Sequence, residues 1–382
     1  MSTLRVDAIR HNSATSDAIT TAADGTCTAK ITDVAGGPLS NRNLFVNGAC
    51  RIGQRGSTSL ASGYGGVDRW VQFLGGGATT TSQDTDVPTG QGFRNSIKLD
   101  VTTALASGSS NWAWLGQYIE AQDCQSVCKG TSNAKQLTLQ FWVKSPKTGT
   151  HTVRLDVQDS NDGVGATYTV STANTWEKKT VTFPASTSGT INDDNGRGIH
   201  VFWVLSAGTT YSSGTLNTTW ASWTNANTAP GQPNILDSTS NNFYLTGVQL
   251  EVGDTATSFE HRSFGEELLK CYRYYYRLKG ENNKTYMIGM SDNDNVNIYG
   301  FFHFPVEMRT APTALEQNGT AGHYKVRRDT TKSCTAVPSF VDAFTFYARV
   351  NFPSSGHGWG TGQMLWCQGG SSSSYLGFSA EL

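Results

Sequence analysis

The 382-residue sequence has few charged side chains: 15% of its residues are charged, against about 25% in an ordinary globular protein. Its formal net charge is −1 and no basic run is present, so nothing in it favours binding to nucleic acid or to an anionic membrane surface. No stretch approaches the roughly 18 consecutive apolar residues of a membrane-spanning helix. The first residues lack the apolar segment of a secretory signal, and we expect synthesis in a cytoplasm without membrane insertion.

Sequence repeats and catalytic motifs are also missing. No heptad pattern is sustained, which excludes a coiled-coil stalk, and we find no repeat of fixed period. The sequence has no Gly-x-Ser-x-Gly elbow, phosphate loop or run of metal ligands. The neighbouring acidic residues Asp193-Asp194 and Asp159/Asp162 lie in turn-like contexts and are better explained by turn chemistry. We therefore expect a protein that is not an enzyme.

Cysteine provides no framework for the fold. The seven Cys are odd in number and scattered along the chain. Cys124 and Cys128 are separated by three residues, not by the two of a zinc knuckle, and no pair of His follows at ligand spacing. We expect reduced structural thiols, with a Cys124–Cys128 disulfide or metal site as the alternative.

Glycine and aromatic residues are abundant, with 41 Gly, 10 Trp, 14 Tyr and 17 Phe. Short segments rich in Thr, Val and aromatic residues alternate with turns of Gly, Asn and Ser, as in an all-β chain. The segment 136–144 is the clearest case, because apolar and polar side chains alternate along it with period two. We predict a mainly β fold: a two-sheet β-sandwich over residues 41–262 and a C-terminal β-sandwich or knob domain over residues 281–382.

The N-terminal segment, residues 1–40, is polar and contains only two short alternating pieces, at 4–9 and 26–31. Two isolated strands cannot bury a core. The segment is therefore predicted to pair with copies of itself or to dock on another protein.

Residues 263–280 have a helical pattern. Ser263 and Glu266 have the spacing of a capping box, which satisfies free N–H groups at a helix start, and Gly280 stands where a C-terminal cap would lie. Tyr272 to Tyr276 would place aromatic rings all around this helix. Because a helix that is apolar on all sides is buried, we predict a linking helix close to the three-fold axis of a homotrimer.

Three stretches carry distinctive short motifs. The first runs from Asn43-Leu44-Phe45-Val46-Asn47-Gly48 through Gln54-Arg55-Gly56 to Asp68-Arg69-Trp70. The second runs from Thr246-Gly247-Val248-Gln249-Leu250-Glu251 to Cys271-Tyr272-Arg273-Tyr274-Tyr275. The third runs from Phe304-Pro305-Val306 to the terminal Ala380-Glu381-Leu382. Together they resemble tail fibres and tailspikes of bacteriophages, which carry a carbohydrate-binding-like jelly roll, here over residues 41–262, although Cys50 stands where that pattern usually has an aromatic residue. The opening Ser2-Thr3-Leu4-Arg5-Val6-Asp7-Ala8-Ile9 is similar to the N-terminal leader of cyanophage-type tail fibres.

The resemblance implies a homotrimeric tail fibre that is assembled in the host cytoplasm and located in the virion tail. Residues 1–40 would attach it to a tail adaptor, a nozzle or another virion protein, and the rest would recognise a glycan on the host cell surface. A capsid decoration or knob protein is the alternative, and a glycan-degrading tailspike is a weaker one.

Candidate glycan contacts are aromatic residues in polar or Gly-rich surroundings, because an aromatic face can stack on the C–H groups of a sugar ring. Trp220 and Trp223 lie in the polar stretch 217–227. Trp359 and His357 lie in a Gly-rich stretch. By contrast, we expect Trp142 and Trp203, in alternating strands, to belong to the core.

Two other motifs have a structural and a functional interpretation. Glu251 and Asp254 flank a turn and offer the oxygen ligands that a structural Ca²⁺ prefers, although a solvated turn is the simpler explanation. No other cofactor is expected. The motifs Gln54-Arg55-Gly56 and Asp68-Arg69-Trp70 are better explained by paired Arg side chains beside a core Trp than by ligand binding.

Overall fold

The computed structural model describes residues 6–10, 12, 15, 18–24, 26–29, 38, 40–60, 62–106, 108–292, 296–356 and 358–382. Near the N-terminus, three antiparallel strands form a small sheet: β1 (Ala8–Ile9), β2 (Ile19–Thr21) and β3 (Cys27–Ala29). The side chains described in these strands are exposed or half-buried, so the described residues of this sheet bury no core of their own.

The next strands build a β-sandwich. They are β4 (Thr58–Leu60), β5 (Ser62–Tyr64), β6 (Val71–Leu74), β7 (Ala78–Asp84), β8 (Ser96–Thr103), β9 (Trp112–Glu120), β10 (Leu137–Lys144), β11 (Gly149–Val157), β12 (Asp162–Val170), β13 (Glu177–Phe183), β14 (Arg197–Ala207), β15 (Ala221–Ser222) and β16 (Asn242–Val252). Short helical turns lie at Ala121–Val127, at α1 (Thr209–Ser212) and at Asn225–Asn227.

These strands form two antiparallel sheets. One has the order β13-β10-β16-β8-β7-β4 and the other β15-β12-β11-β14-β9-β6-β5. The core lies between them, because alternate side chains of each strand point toward the opposite sheet. At its centre the rings of Phe45, Trp70 and Trp203 lie 5.7–6.2 Å apart. The predicted mainly β sandwich is confirmed.

The helix after the sandwich is shorter than predicted. It is α2 (Phe264–Tyr272), and it begins with the expected capping box between Ser263 and Glu266. The rest of the predicted helix is a strand, β17 (Tyr275–Lys279), which pairs with the end of the chain. Aromatic residues suit a half-buried strand, and pairing with a C-terminal strand outweighs continuation of the helix. The aromatic side chains therefore do not surround a helix, and the reason to place it on a three-fold axis is lost.

Residues 275–382 form a second β-structure. After β17 come β18 (Thr285–Ser291), β19 (Ile298–His303), β20 (Leu315–Glu316), a turn at Ala321–His323, β21 (Tyr324–Arg327), β22 (Thr331–Ser333), β23 (Ser339–Ala343), β24 (Tyr347–Asn351), β25 (Met364–Gly369) and β26 (Tyr375–Ser379). A three-stranded sheet, β17-β26-β20, packs against the inner face of a seven-stranded sheet, β22-β21-β25-β18-β19-β24-β23. None of the helices in the described ranges is long and apolar enough to cross a membrane.

The two β-domains meet at a buried junction of charged and aromatic side chains. Arg69 is 1% exposed, forms an ion pair with Glu381 and lies 3.5 Å below the ring of Tyr274. Arg55 also pairs with Glu381, at 3.4 Å, and lies 3.4 Å from the ring of Tyr275. The three sequence motifs therefore converge here, and their Arg residues hold the domains together.

The junction supports the structural interpretation of these motifs. The Arg side chains, however, pair with residues that are distant in the sequence and not with adjacent ones. Asp68 accepts hydrogen bonds from the backbone N–H and the side-chain amide of Gln54, at 2.9 and 2.5 Å. Trp70 lies in the sandwich core. The acidic partners of Arg55 come from the far end of the sequence, which spacing alone could not reveal.

All seven cysteines are free thiols. Cys124 is buried and its Sγ donates to the Glu120 carbonyl, whereas Cys128 is half-buried and its Sγ donates to the Ser126 carbonyl. Burial raises the pKa of Cys124 to about 12, so this thiol is unreactive at neutral pH. The expected reduced thiols agree with the structure, and the alternative Cys124–Cys128 disulfide does not.

Candidate functional site

A cleft lined by aromatic rings lies on the outer face of the seven-stranded sheet of the sandwich. It consists of two adjoining depressions of about 170 and 220 Å³, which share Tyr118, Asp156, His200 and Trp223. We call it the aromatic cleft. The rest of its lining includes Phe73, Trp112, Trp114, Asn161, Asp162, Arg197 and Phe202.

The cleft exists because two central strands are apolar on both faces. In β14, Val201 and Trp203 point into the sandwich core, while His200 and Phe202 point to the opposite side. Strand β9 pairs with β14 in antiparallel register, with Tyr118 beside His200. Because paired residues of neighbouring strands share a face of the sheet, the outward rings form one continuous surface.

The rings are arranged as a stacked row with a wall. Tyr118 and His200 are stacked with centroids 4.1 Å apart, and His200 and Phe202 with centroids 4.7 Å apart. Trp223 lies 6.3 Å from Phe202. Tyr118, His200 and Trp223 are only half-buried, so parts of their rings are open to a ligand.

Trp223 comes from a loop and is held by a buried arginine. It follows β15, the edge strand that pairs with β12, and its indole N–H donates to Asn225 Oδ1 at 2.6 Å. The guanidinium of Arg154, which is 1% exposed, lies 4.8 Å from the Trp223 ring and donates to the Asn227 carbonyl at 3.1 Å. Arg154 is therefore a positioning residue for this wall of the cleft.

Polar groups lie beside the rings. Arg154 donates to Asp156 Oδ1 at 3.3 Å, and a Cβ on Gly163 would lie 2.2 Å from that oxygen, so glycine leaves room for the pair. Burial raises the pKa of Asp156 to about 7, although Arg154 opposes the shift. Burial lowers the pKa of His200 to about 3, and Arg197 lowers it further. The His200 ring is thus neutral at physiological pH, and its Nε2 has no hydrogen-bond partner among the described residues.

The raised pKa of Asp156 predicts a pH-dependent stability. An unfolded Asp titrates near pH ~3.9, so between about pH 4 and pH 7 the folded protein retains a proton that the unfolded chain has lost, and stability falls as pH rises. Asp156→Asn removes this term. Its free energy of unfolding should rise relative to wild type by up to about 1.4 kcal/mol per pH unit across that window.

Urea unfolding at several pH values tests this prediction. Because folding lowers the pKa of His200, this residue makes stability rise with pH. Its contribution is the same in wild type and in Asp156→Asn and cancels in the difference. Asp193→Asn, at an exposed side chain, offers a matched control for the chemistry of the substitution. If the difference in unfolding free energy between Asp156→Asn and wild type stays constant with pH, folding does not raise the pKa of Asp156.

Of the residues predicted from sequence to contact a glycan, Trp223 lies in the cleft. Trp220 does not: it packs against the sandwich core and its indole N–H donates to the Pro184 carbonyl at 2.7 Å. Trp359 is 7% exposed and belongs to the C-terminal core, so its expected exposure is corrected. His357 lies outside the described residues.

The two core tryptophans of the prediction differ in position. Trp203 is fully buried. Trp142 is half-buried and alternates with the buried residues of β10, so it lies on the outer face of the six-stranded sheet. The prediction that Trp142 belongs to the core is therefore wrong, because the two-residue alternation of β10 puts it on the face opposite the buried Phe141 and Val143.

The residues proposed for calcium are not arranged as a ligand set. Glu251 is buried, and its carboxylate accepts hydrogen bonds from the Gln249 amide and from both the N–H and the hydroxyl of Thr257, at 2.6–2.9 Å. Asp254 is exposed and accepts from the Thr255 hydroxyl. Across the described part of the chain, no three His, Cys, Asp or Glu residues are grouped to hold a metal. The Glu251 carboxylate therefore stabilises the turn that follows β16.

Most residues of the cleft were not predicted as site residues. The missed ones include Phe73, Tyr118, Asp156, Arg197, His200 and Phe202. A signal was present, because residues 112–120 and 199–205 are apolar at both odd and even positions, which indicates cover or binding on both faces of the sheet.

No known family model and no curated protein matches the sequence. Similar solved structures include the enzymatically active domain of tailspike protein 4 of bacteriophage CBA120, at 14% identity and TM-score 0.29; the match covers 55% of this chain and 21% of that one. TmCBM61, solved with β-1,4-galactotriose, has 9% identity and TM-score 0.28, with 56% and 99% covered. The family 11 carbohydrate-binding module of the Clostridium thermocellum cellulase Lic26A-Cel5E has 12% identity and TM-score 0.25, with 55% and 98% covered. At these scores the likeness does not indicate what this chain binds.

Proposed function

We propose that this chain is a glycan-binding structural protein of a phage virion, without catalytic activity, and that the aromatic cleft is its glycan site. The observation that carries the proposal is that the rings of Tyr118, His200 and Trp223 are half-buried in one cleft beside polar groups. A sugar ring has apolar C–H faces that pack on aromatic rings and hydroxyls that need donors and acceptors. The cleft offers both within one concave surface.

Polar groups beside the rings can form hydrogen bonds with the hydroxyls of a glycan. Asp156 in its protonated state donates a hydrogen bond, and in its ionised state it accepts from a hydroxyl. The His200 ring is half-buried and adds stacking surface between these polar groups. Arg197 is exposed at the rim, with its guanidinium 4.4 Å from the Tyr118 ring, and can donate to ring or hydroxyl oxygens.

A glycan-degrading activity is the second candidate, and one observation favours it. Hydrolysis of a glycosidic bond usually needs a protonated and an ionised carboxyl group, and Asp156, with its raised pKa, lies in the same depression as Asp162. Against it, Asp162 is engaged on both oxygens, by Lys129 at 2.7 Å and Ser160 at 2.6 Å. We therefore propose binding without cleavage.

The proposed place in the virion is the tail, as a homotrimeric fibre attached through residues 1–40 to an adaptor, a nozzle or another virion protein. The sequence motifs support it, as does the N-terminal sheet, whose described residues bury no core of their own. A capsid decoration or knob protein remains the alternative. Immunogold labelling or a virion reconstruction that shows the chain on the capsid would overturn the tail location.

Glycan binding is tested by screening the full chain against an array of bacterial surface polysaccharides, followed by calorimetry on the best ligand. We expect saturable binding with an unchanged polymer. New reducing ends during incubation with the same polysaccharide, abolished by Asp156→Asn, would establish hydrolysis instead. Absence of binding to every host polysaccharide would overturn the proposed function.

A further inference from the structure

The C-terminal domain presents a broad apolar surface to solvent. It lies on the outer face of the seven-stranded sheet and on the adjoining turn between β23 and β24. Its large side chains are 47–67% exposed, and we call their set the exposed apolar face: Ile288, Met290, Phe301, Phe344, Phe346, Met364 and Trp366.

Strand register makes this face continuous. Ile288 pairs with Trp366 and Met290 with Met364 across β18 and β25, so these four side chains stand next to each other. The alternate residues of the same strands, such as Met287 and Leu365, are buried in the domain core. The central strands are thus apolar on both faces, but among the residues that the structure describes only the inner face is covered.

The size of the face exceeds what a monomer ordinarily exposes. Large side chains of this kind offer about 200 Å² each, so half-exposure of the set corresponds to roughly 700 Å² of apolar surface. The largest patch on a typical monomer is about 300–600 Å². A standard stable interface buries about 800 Å² on each partner.

We propose that the exposed apolar face is an interface between copies of this chain. The area is what a stable homo-oligomer needs, and the charges on the face are mixed in sign. Arg349 and Asp342 form an ion pair on it at 2.5 Å, so the face lacks the single basic sign that an anionic lipid surface would select. It deepens the proposed homotrimer, and it stands whether or not the aromatic cleft binds glycan.

With this interface, the copies meet through the C-terminal domain and not through helix α2, where their contact was predicted from the sequence. The residues of the exposed apolar face belong to the C-terminal domain, and the aromatic cleft lies on the sandwich. Association through this face would leave the cleft of each copy free and would bring several glycan sites into one particle, which raises the avidity for a repeating polymer.

The first test replaces two adjacent residues of the face by charged ones, Ile288→Glu with Trp366→Glu. Both side chains are about half exposed in the single chain, so the fold should be retained. The matched control is Leu269→Glu on α2, whose side chain is 48% exposed outside the face. By sedimentation velocity at micromolar concentration, we expect oligomers for wild type and control and a 41.2 kDa monomer for the double variant. A monomeric wild type, or a folded double variant that stays oligomeric, would overturn the interface.

The second test uses the unaltered protein. Peroxide oxidation followed by mass spectrometry should modify Met290 and Met364 as slowly as the core residues Met287 and Met308, which are 6% and 1% exposed. Oxidation of Met290 and Met364 at least tenfold faster than that of the core residues would show that nothing covers the face. Glycan binding is measured in parallel. A monomer that binds glycan defeats the interface and the proposed homotrimer but leaves the glycan site standing, and an oligomer that binds none defeats the glycan site alone.

Discussion

Replacement of Glu381 by alanine should lower the free energy of unfolding by about 3–5 kcal/mol, the usual effect of removing one partner of a buried ion pair. Among the described residues, Glu381 is the acidic side chain that pairs with Arg69, and it also contacts Arg55. Arg69 is 1% exposed. Without Glu381, the Arg69 guanidinium stays buried at the domain junction as an unpaired charge. Urea unfolding followed by tryptophan fluorescence measures the loss.

Glu316→Ala is the matched control for this experiment. Glu316 also pairs with Arg55, at 3.4 Å, and accepts a hydrogen bond from the Tyr275 hydroxyl at 2.7 Å, but its side chain is 36% exposed. Its loss should cost about 1–2 kcal/mol, most of it from the Tyr275 hydroxyl that is left without its acceptor. Equal effects of the two substitutions would mean that burial does not set the energetics of the junction. A loss below about 1 kcal/mol for Glu381→Ala would show that water reaches Arg69 once the carboxylate is removed.

Replacement of Trp223 by alanine should weaken glycan binding by about 30-fold, which corresponds to about 2 kcal/mol for a central aromatic contact. The indole forms one wall of the aromatic cleft and belongs to both of its depressions. Calorimetric titration with the polysaccharide found in the array screen gives the affinity ratio. Because Trp223 is half-buried in a surface loop, the variant should keep the wild-type circular dichroism spectrum.

Trp142→Ala provides the control for stacking on a half-buried tryptophan. Trp142 lies on the outer face of the opposite sheet of the same sandwich, so its removal should leave the affinity unchanged within about twofold. If Trp142→Ala abolishes binding and Trp223→Ala does not, the glycan lies on the six-stranded sheet and the aromatic cleft is not the site.

The strands were predictable from sequence because side-chain alternation is a local property. The segment 136–144 alternates cleanly and became β10, whose inward residues all lie in the core. The capping box at Ser263 was predictable for the same reason, because its hydrogen bonds join residues three positions apart. The end of that helix was not, because β17 depends on pairing with a strand about a hundred residues further along the chain.

The candidate site was predicted only in part. Trp223 was correctly singled out from its polar surroundings, but Trp220, three residues earlier in the same stretch, is directed toward the core. Loop sequence does not specify which way a side chain points. His200 and Tyr118 meet only because β9 and β14 are neighbours in the sheet, and strand order is not encoded in any local pattern.

The sequence by itself determined that this chain is mainly β, poor in charge and divided by a capped helix, because these properties depend on residues close to one another. Only the tertiary structure decided which strands became neighbours, and hence that Arg69 finds Glu381, that aromatic rings line one cleft, and that one apolar sheet face is left uncovered. Each of these depends on long-range pairing, in which the contacting groups are distant in the chain and the energy comes from burying them together.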